Sequence, residues 1–306
     1  MMDMKLKLFC TVVETKSFSK ASRIVHLSQP AVSMQIQALE EYFGTKLFDR
    51  SRDTLKLTPV GEILYKEAKH VLAHYTDIEK RIAKITGMMR GGITIGASTT
   101  IGNYVLPRII IDFKKRYPKI AISLWIGNTK RIEELLSSQL VDFGLVEGET
   151  SRTTFKSEPI ISDELVPIVS TNHPWARKKM ISLFDIIREP FVIREEGSGT
   201  RQKIMDYFAL YGFGIDDLHI ALTLGSTESI KVAVEGGIGV SILSKWAVRK
   251  EQEEGKLHAL TLREGNIVRK FSLILLPKAI LPHVAEEFLI FVKKYPQEII
   301  SSEEHK

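Results

Sequence analysis

Residues 17–43, SFSKASRIVHLSQPAVSMQIQALEEYF, contain two short helical patterns that meet at a tight break around His26, Leu27 and Ser28. That is the spacing of a helix-turn-helix. In the second pattern Ser28 is a natural N-cap, and Gln29 and Pro30 open the first turn, where proline's missing N–H costs nothing. The spacing predicts a helix over 29–42. At 100° per residue Val32, Ile36, Leu39 and Phe43 share one arc and must pack on other helices. The opposite arc carries Pro30, Ser33, Met34 and Gln37. Ser and Gln donate to and accept from base edges, and the helix N-terminus beside Gln29 favours a phosphate. The outward arc therefore reads as a base-reading face; the plain alternative is that it only solvates a surface helix.

Working outward, the chain of 306 residues is 44% hydrophobic, enough for two or three domains with real cores. Residues 1–90 hold 15 Lys and Arg against 10 Asp and Glu, and residues 91–306 hold 28 against 27. Most of the +6 net charge thus sits where a polyanion partner would need it. A single cysteine, Cys10 in the apolar run LFCTVV, excludes an internal disulfide and a cysteine zinc site and reads as core. The N-terminus MMDMKLKLFCTVVE carries an acid at position 3 and too short an apolar run for an export signal, and no run approaches the ~18 apolar residues of a membrane span. The expectation is a cytoplasmic protein with no membrane partner.

In chain order, residues 3–15 give a first helix with Leu6, Phe9, Val12 and Val13 on one side. Ser17, Ser19 and Lys20 stand at the next helix start, placed to touch phosphates. Gly44 suits the residue after the base-reading helix. KLFDRSRDTLKLT then alternates short extended runs, predicting a two-stranded wing over 47–57. Its Arg50, Arg52 and Lys56 suit a minor groove or the DNA backbone, although a solvated hairpin would carry the same charges. Thr58 and Pro59 start a long helix in which Leu64, Ala68, Val71, Tyr75, Ile78, Ile82, Ile85 and Met89 repeat at four, three, four, three. A helix of roughly 30 residues is about 45 Å long. Leu64, Val71, Ile78 and Ile85 are the expected dimerisation positions; packing on the protein's own body is the alternative. A dimer presents two reading helices to half-sites on one DNA face.

After Arg90, Gly91 and Gly92 the texture changes to short apolar strands alternating with helices, a βαβαβ run that predicts a mostly parallel sheet. A second set runs from Glu164 to about Glu251, and RKFSLILLP with HVAEEFLIFVKKY gives a returning strand and helix. The residues alone give two α/β subdomains. Ligands of such sheets settle at strand ends against helix N-termini. Five such loops carry polar groups: Ser98, Thr99 and Thr100; Asn128 and Thr129; Glu147; Ser198, Gly199 and Thr200 in REEGSGTR; and Ser226 with Thr227. Together they suit a small anionic metabolite. Taken singly, a Ser or Thr before a helix is ordinarily an N-cap. Glu195 and Glu196 oppose a simple anion trap, and Arg194 and Arg201 balance them.

FSKAS, LSQPAVSMQIQALE, LFDR and LTPVG, in this order and spacing, resemble the N-terminal domain of LysR-type transcriptional regulators. The resemblance is strong over the first ninety residues and architectural over the rest. It implies an N-terminal winged helix-turn-helix, mainly α, over 1–58, a linker and dimerisation helix over 59–90, and an α/β two-lobed, periplasmic-binding-protein-like (type 2) effector domain over 91–306. Lobe I would comprise 91–161 and 269–306, and lobe II 162–268, with crossovers near 157–163 and 266–270. The implied function is ligand-responsive regulation of transcription, with double-stranded DNA, a small-molecule effector, a homodimer or homotetramer and RNA polymerase as partners, and no cofactor. Many relatives carry a polar or basic residue where this chain has Met34, which can read only a thymine methyl or a backbone. The GSGTR loop resembles that of regulators of carbon fixation and of sulfur or selenium metabolism.

No catalytic or metal constellation assembles. Among the eight histidines only His70 and His74 have i, i+4 spacing, and no third ligand accompanies them. No GxSxG occurs, and GGIGVS (236–241) lacks the lysine of a phosphate loop. A transporter's solute-binding protein would leave ninety residues of winged helix unexplained. A helix-turn-helix protein whose second half only oligomerises differs in showing no ligand-dependent thermal shift.

Overall fold

Three helices, α1 (Met2–Thr15), α2 (Phe18–Ile24) and α3 (Gln29–Phe43), form the head. The structure is a computed structural model and describes residues 2–303 except 26, 50–54, 87, 88, 90, 149, 151–153, 278 and 280. Ser28 caps α3 by accepting from the Ala31 N–H, and Gly44 ends it at φ 66°, so α3 runs one residue past the expected 42. Phe9, Val12, Ala21, Val32, Ile36 and Leu39 form the core between the helices. Glu40 shares that inward face although it is charged. Its Oε1 accepts from the Leu47 N–H at 2.9 Å and its Oε2 from Lys46 Nζ at 3.0 Å, which ties α3 to the wing. Burial alone would raise this carboxyl; the donors outweigh it and hold it below the usual range.

In the wing, β1 (Phe48–Asp49) pairs antiparallel with β2 (Lys56–Leu57). Its tip, with Arg50 and Arg52, lies outside the described residues, as does His26 in the helix-turn-helix break. The wing seats closely on α4 (Pro59–Thr86): a Cβ on Gly61 would lie 2.2 Å from the Leu47 carbonyl oxygen, so only glycine fits there.

Helix α4 is shorter than the expected 59–90, and its stripe divides. Leu64, Ala68 and Leu72 turn to the head's own core, because α1 packs beside them. Leu64 is therefore half-buried within its own chain rather than in an open seam. Val71 (53% exposed), Tyr75 (42%), Ile78 (42%) and Ile82 (55%) are left uncovered. The side chain of Ile85 lies outside the described residues, and Met89 has left the helix for the core of the next unit.

Beyond it, β3 (Gly91–Ser98) lies between β4 (Ile120–Gly127) and β5 (Phe143–Glu147), both parallel to it, with α5 (Leu106–Arg116) and α6 (Thr129–Ser137) as connections. The long β6 (Lys156–Ser170) leads into a second unit. There β7 (Met180–Ile181), α7 (Leu183–Ile186), β8 (Phe191–Arg194), α8 (Gly199–Ala209), β9 (Ile220–Leu224), α9 (Thr227–Glu235), β10 (Ser241–Ser244), α10 (Lys245–Glu253), β11 (Leu257–Ala259) and β12 (Thr261–Leu262) follow. The chain returns along β13 (Ile267–Leu275), antiparallel to β6 from Ile267↔Leu165 to Leu275↔Lys156. Helix α11 (His283–Glu303) then packs Val284, Phe288 and Val292 into the first unit's core beside Phe113 and Phe143.

The sheet order is β10-β6-β13-β5-β3-β4, with β11 also on β6, while β8 and β9 form a separate parallel pair. The large sheet is therefore mixed rather than mostly parallel. The reason is the pair β6 and β13, which carry the chain between the units in opposite directions. No helix among the described residues is long and apolar enough to cross a membrane.

Candidate effector cleft and DNA-reading face

The strand ends of the first unit face the helix starts of the second, and two buried arginines stand between them. Arg269 projects from β13 and is 3% exposed. Its Nη1 donates to Glu147 Oε2 at 3.0 Å and to Thr200 Oγ1 at 2.9 Å, its Nη2 to Thr100 Oγ1 at 3.3 Å, and its Nε to Asp163 Oδ2 at 2.7 Å. Glu147 also accepts from the Thr100 N–H at 2.6 Å and the Thr200 hydroxyl at 2.7 Å. Burial would raise this carboxyl, but Arg269 and those donors outweigh it and hold it at about 2. Asp163 shares the same guanidinium yet is raised, because burial outweighs what Arg269 and the Ser244 hydroxyl return.

Arg194, at the end of β8, is 1% exposed. Its Nη2 donates to Thr99 Oγ1 at 3.0 Å and its Nη1 to Thr227 Oγ1 at 3.1 Å. Glu195 takes two more of its donors, Nε to Oε2 at 2.7 Å and Nη2 to Oε1 at 3.0 Å, while Asn128 Nδ2 donates to Glu195 Oε1 at 3.0 Å from the opposite unit. At the rim, Tyr104 donates to Glu228, and Lys231 stands 5.0 Å over the Tyr104 ring. Gly199 comes so close to the first unit that a Cβ there would lie 2.3 Å from the Glu147 carbonyl oxygen and 2.8 Å from Thr129 Oγ1. Two polar atoms, Ser98 Oγ and Thr129 Oγ1, are buried without a hydrogen-bond partner. Buried hydroxyls normally find one.

Of the residues singled out from the sequence, Thr99, Thr100, Asn128, Glu147, Thr200 and Thr227 meet across this cleft, Thr129 and Gly199 approach each other where the units touch, and Ser98 ends β3 with its hydroxyl unpartnered. Ser198 and Ser226 spend their hydroxyls capping α8 and α9, accepting from the Arg201 and Ser229 N–H groups. Sequence reasoning missed Arg269, Asp163 and Tyr104. A signal for Arg269 existed: strand alternation in IVRKF puts Ile267, Arg269 and Phe271 on one side, and all three are buried. Elsewhere a cavity of about 1110 Å³ opens between the head and the first unit, lined by Leu8, Cys10, Leu72, Val141 and Leu281 among others. It holds none of the cleft residues. Burial pushes the Cys10 thiol up to about 12, as befits an inert core thiol.

On the head, Gln29, Pro30, Met34 (69% exposed) and Gln37 face outward, and Ser33 is half-buried between them. Gln37 Nε2 donates to Glu41 at 3.0 Å, so it must leave that bond to reach a base. Ser17 caps α2 by accepting from the Lys20 N–H, Ser19 is exposed, and Lys56 is exposed on β2. Among the described residues no group of three His, Cys, Asp or Glu is placed to hold a metal.

A helix-turn-helix head joined to a two-lobed fold crossed by two hinge strands defines a ligand-responsive, DNA-binding regulator of transcription. Residues 4–62 match the family of bacterial regulatory helix-turn-helix proteins of the lysR type, and residues 86–297 match the LysR substrate binding domain. The chain belongs to the LysR family, whose similar members are named transcriptional regulators and not enzymes. It is 35% identical to the HTH-type transcriptional regulator CysL of Bacillus subtilis over 88% of this chain and 89% of that one. It is 31% identical to the transcriptional activator CmpR of Synechocystis, covering 94% and 93%. The Synechocystis CcmR regulatory domain, solved in complex with 2-PG, superposes with a TM-score of 0.62 at 29% identity, covering 67% of this chain and 97% of that one.

Proposed function

We propose that the chain is a cytoplasmic regulator in which 1–58 read an operator, 59–90 pair two subunits, and 91–306 bind a small anionic metabolite between lobe I (91–161 and 269–306) and lobe II (162–268). Gln29, Ser33, Met34 and Gln37 face base edges from the major groove. Pro30 starts the helix so that its first N–H groups meet a phosphate, and Ser17 and Ser19 hold the backbone. Arg50, Arg52 and Lys56 contact the minor groove or backbone from the wing. Val71, Ile78 and Ile82 supply the apolar face for a second α4, with Ile85 continuing it by sequence spacing.

The observation that carries the effector reading is the pair of buried arginines at the strand ends, Arg194 bonded to Thr99 and Thr227 and Arg269 to Glu147, Thr100 and Thr200, which tie the two lobes together. Glu147, Thr99, Thr100, Asn128, Ser198, Gly199, Thr200, Ser226 and Thr227 frame the same space. The complex of the similar Synechocystis CcmR regulatory domain with 2-PG supports a small-molecule effector. Closure of the lobes about β6 and β13 alters subunit placement in a dimer or tetramer, and so the spacing or bend of bound DNA. The ligand shifts that equilibrium only by its differential affinity, typically about 1–3 kcal/mol of coupling. RNA polymerase is the partner through which the shift reaches transcription.

A thermal-shift screen of small anionic metabolites tests this reading. An effector should stabilise the wild type, and Thr100→Val and Ser198→Ala should lower the response while DNA affinity without ligand is kept. Equal response in both variants removes the site from the cleft.

A further inference from the structure

The cleft's cations are not waiting empty. Arg194 has five donor positions, and Glu195 takes two of its bonds through both carboxylate oxygens. The guanidinium is 1% exposed and the carboxylate 26%, so of the two it is Glu195 that faces solvent. That is the direction from which a dissolved anion arrives. Glu195 belongs to lobe II and is also held by Asn128 of lobe I, so one carboxylate both neutralises the arginine and ties the lobes. The hold comes chiefly from Arg194: burial would raise the carboxyl, and the guanidinium with Asn128 outweighs it, keeping Glu195 ionised.

We propose that Glu195 is an internal competitor for the effector, its carboxylate occupying the seat on Arg194 and Asn128 that the effector's anionic group takes. This rests on the reading of the cleft as the effector site. Ser98 and Thr129, the chain neighbours of the Thr99 and Asn128 that hold the Arg194–Glu195 pair, each have a buried hydroxyl without a hydrogen-bond partner. An oxyanion with more acceptor atoms than a carboxylate, such as a phosphate or sulfate group, satisfies Arg194 and Asn128 and these two hydroxyls together. That surplus is what lets it displace a group already in place, and a plain monocarboxylate lacks it. Glu195 therefore sets both the affinity threshold and the preference among anions. The swap also moves the Asn128 tie from the chain to the ligand, so occupancy changes what holds the lobes together.

The test is titration of the full chain with inorganic phosphate, sulfate and acetate, followed by calorimetry, on wild type, Glu195→Gln, Glu195→Ala and Ser98→Ala with Thr129→Val. Circular dichroism checks folding, and the alanine variant covers the case in which a glutamine amide disturbs Arg194. Wild type should bind phosphate or sulfate weakly and acetate more weakly still. Removing the Glu195 carboxylate should tighten binding about tenfold, the size expected when one charged hydrogen-bonded competitor is removed. It should also narrow the preference over acetate, and the Ser98/Thr129 double variant should abolish that preference. If wild type binds phosphate or sulfate and both Glu195 variants bind equally or less well, Glu195 is scaffold and the inference is overturned while the cleft reading stands. If no anion binds any folded variant, the cleft reading fails and takes the inference with it.

Discussion

Replacing Glu147 by glutamine isolates the charge at the centre of the hinge. The carboxyl is fully buried and held at about 2 against an ordinary value near 4.5. Each pKa unit corresponds to about 1.4 kcal/mol, so the folded state favours the ionised form by about 3 kcal/mol. Glutamine keeps the shape and one acceptor oxygen but not the charge, and it leaves Arg269 with Asp163 as its remaining anionic partner. The expected loss at pH 7 is about 3 kcal/mol, or a Tm lower by roughly 6–12 °C for a domain of this size. The sign with pH follows from the depressed value. The carboxylate's contribution is present in full above pH 4.5 and is lost as pH falls through about 2, so wild type and variant should converge on acidification. Urea unfolding followed by tryptophan fluorescence at pH 7 and pH 4 measures both quantities. A variant within about 0.5 kcal/mol of wild type at pH 7, or a gap that widens as pH falls, would refute the reasoning.

Other outcomes follow from the same contacts. Asp163→Asn should cost clearly less than Glu147→Gln in the same unfolding experiment, because burial already raises Asp163 and the neutral amide loses less. Gly199→Ala places a Cβ 2.3 Å from the Glu147 carbonyl oxygen, which must force the lobes apart; faster cleavage of the hinge by protease and loss of effector-dependent thermal shift are expected. Ile78→Glu introduces a charge into the uncovered stripe of α4 and should convert an oligomer to monomer by sedimentation, with little change in the melting of the head. Gln29→Ala and Ser33→Ala should each reduce discrimination between operator and random duplex by about 1–3 kcal/mol without changing the salt dependence, measured by fluorescence anisotropy at two salt concentrations.

The head was legible in the sequence because its signals are local. Ser28, Pro30 and Gly44 punctuate one helix, and Val32, Ile36 and Leu39 repeat at its period; all of that lies within twenty residues. The stripe of α4 was legible as a pattern but not in its division. Spacing alone does not reveal that α1 covers Leu64 and Ala68 and stops short of Val71. The cleft was readable only in part. Hydroxyl-bearing loops at strand ends announce themselves, whereas Arg269 sits inside an apolar strand and finds its partners 122 and 106 residues away in Glu147 and Asp163. Glu195 shows the same limit from the other side. As sequence it counts as an acid beside an anion loop; in the fold it pairs with the buried Arg194.

The most direct measurement is footprinting of the full chain on the DNA upstream of its own gene, with a scrambled duplex of equal length and composition as the reference. A pair of protected half-sites on one face, lost when Ile78→Glu separates the subunits, is the expected result. Equal affinity for both duplexes at micromolar protein, with no protected half-sites, would contradict a paired winged-helix reader of DNA.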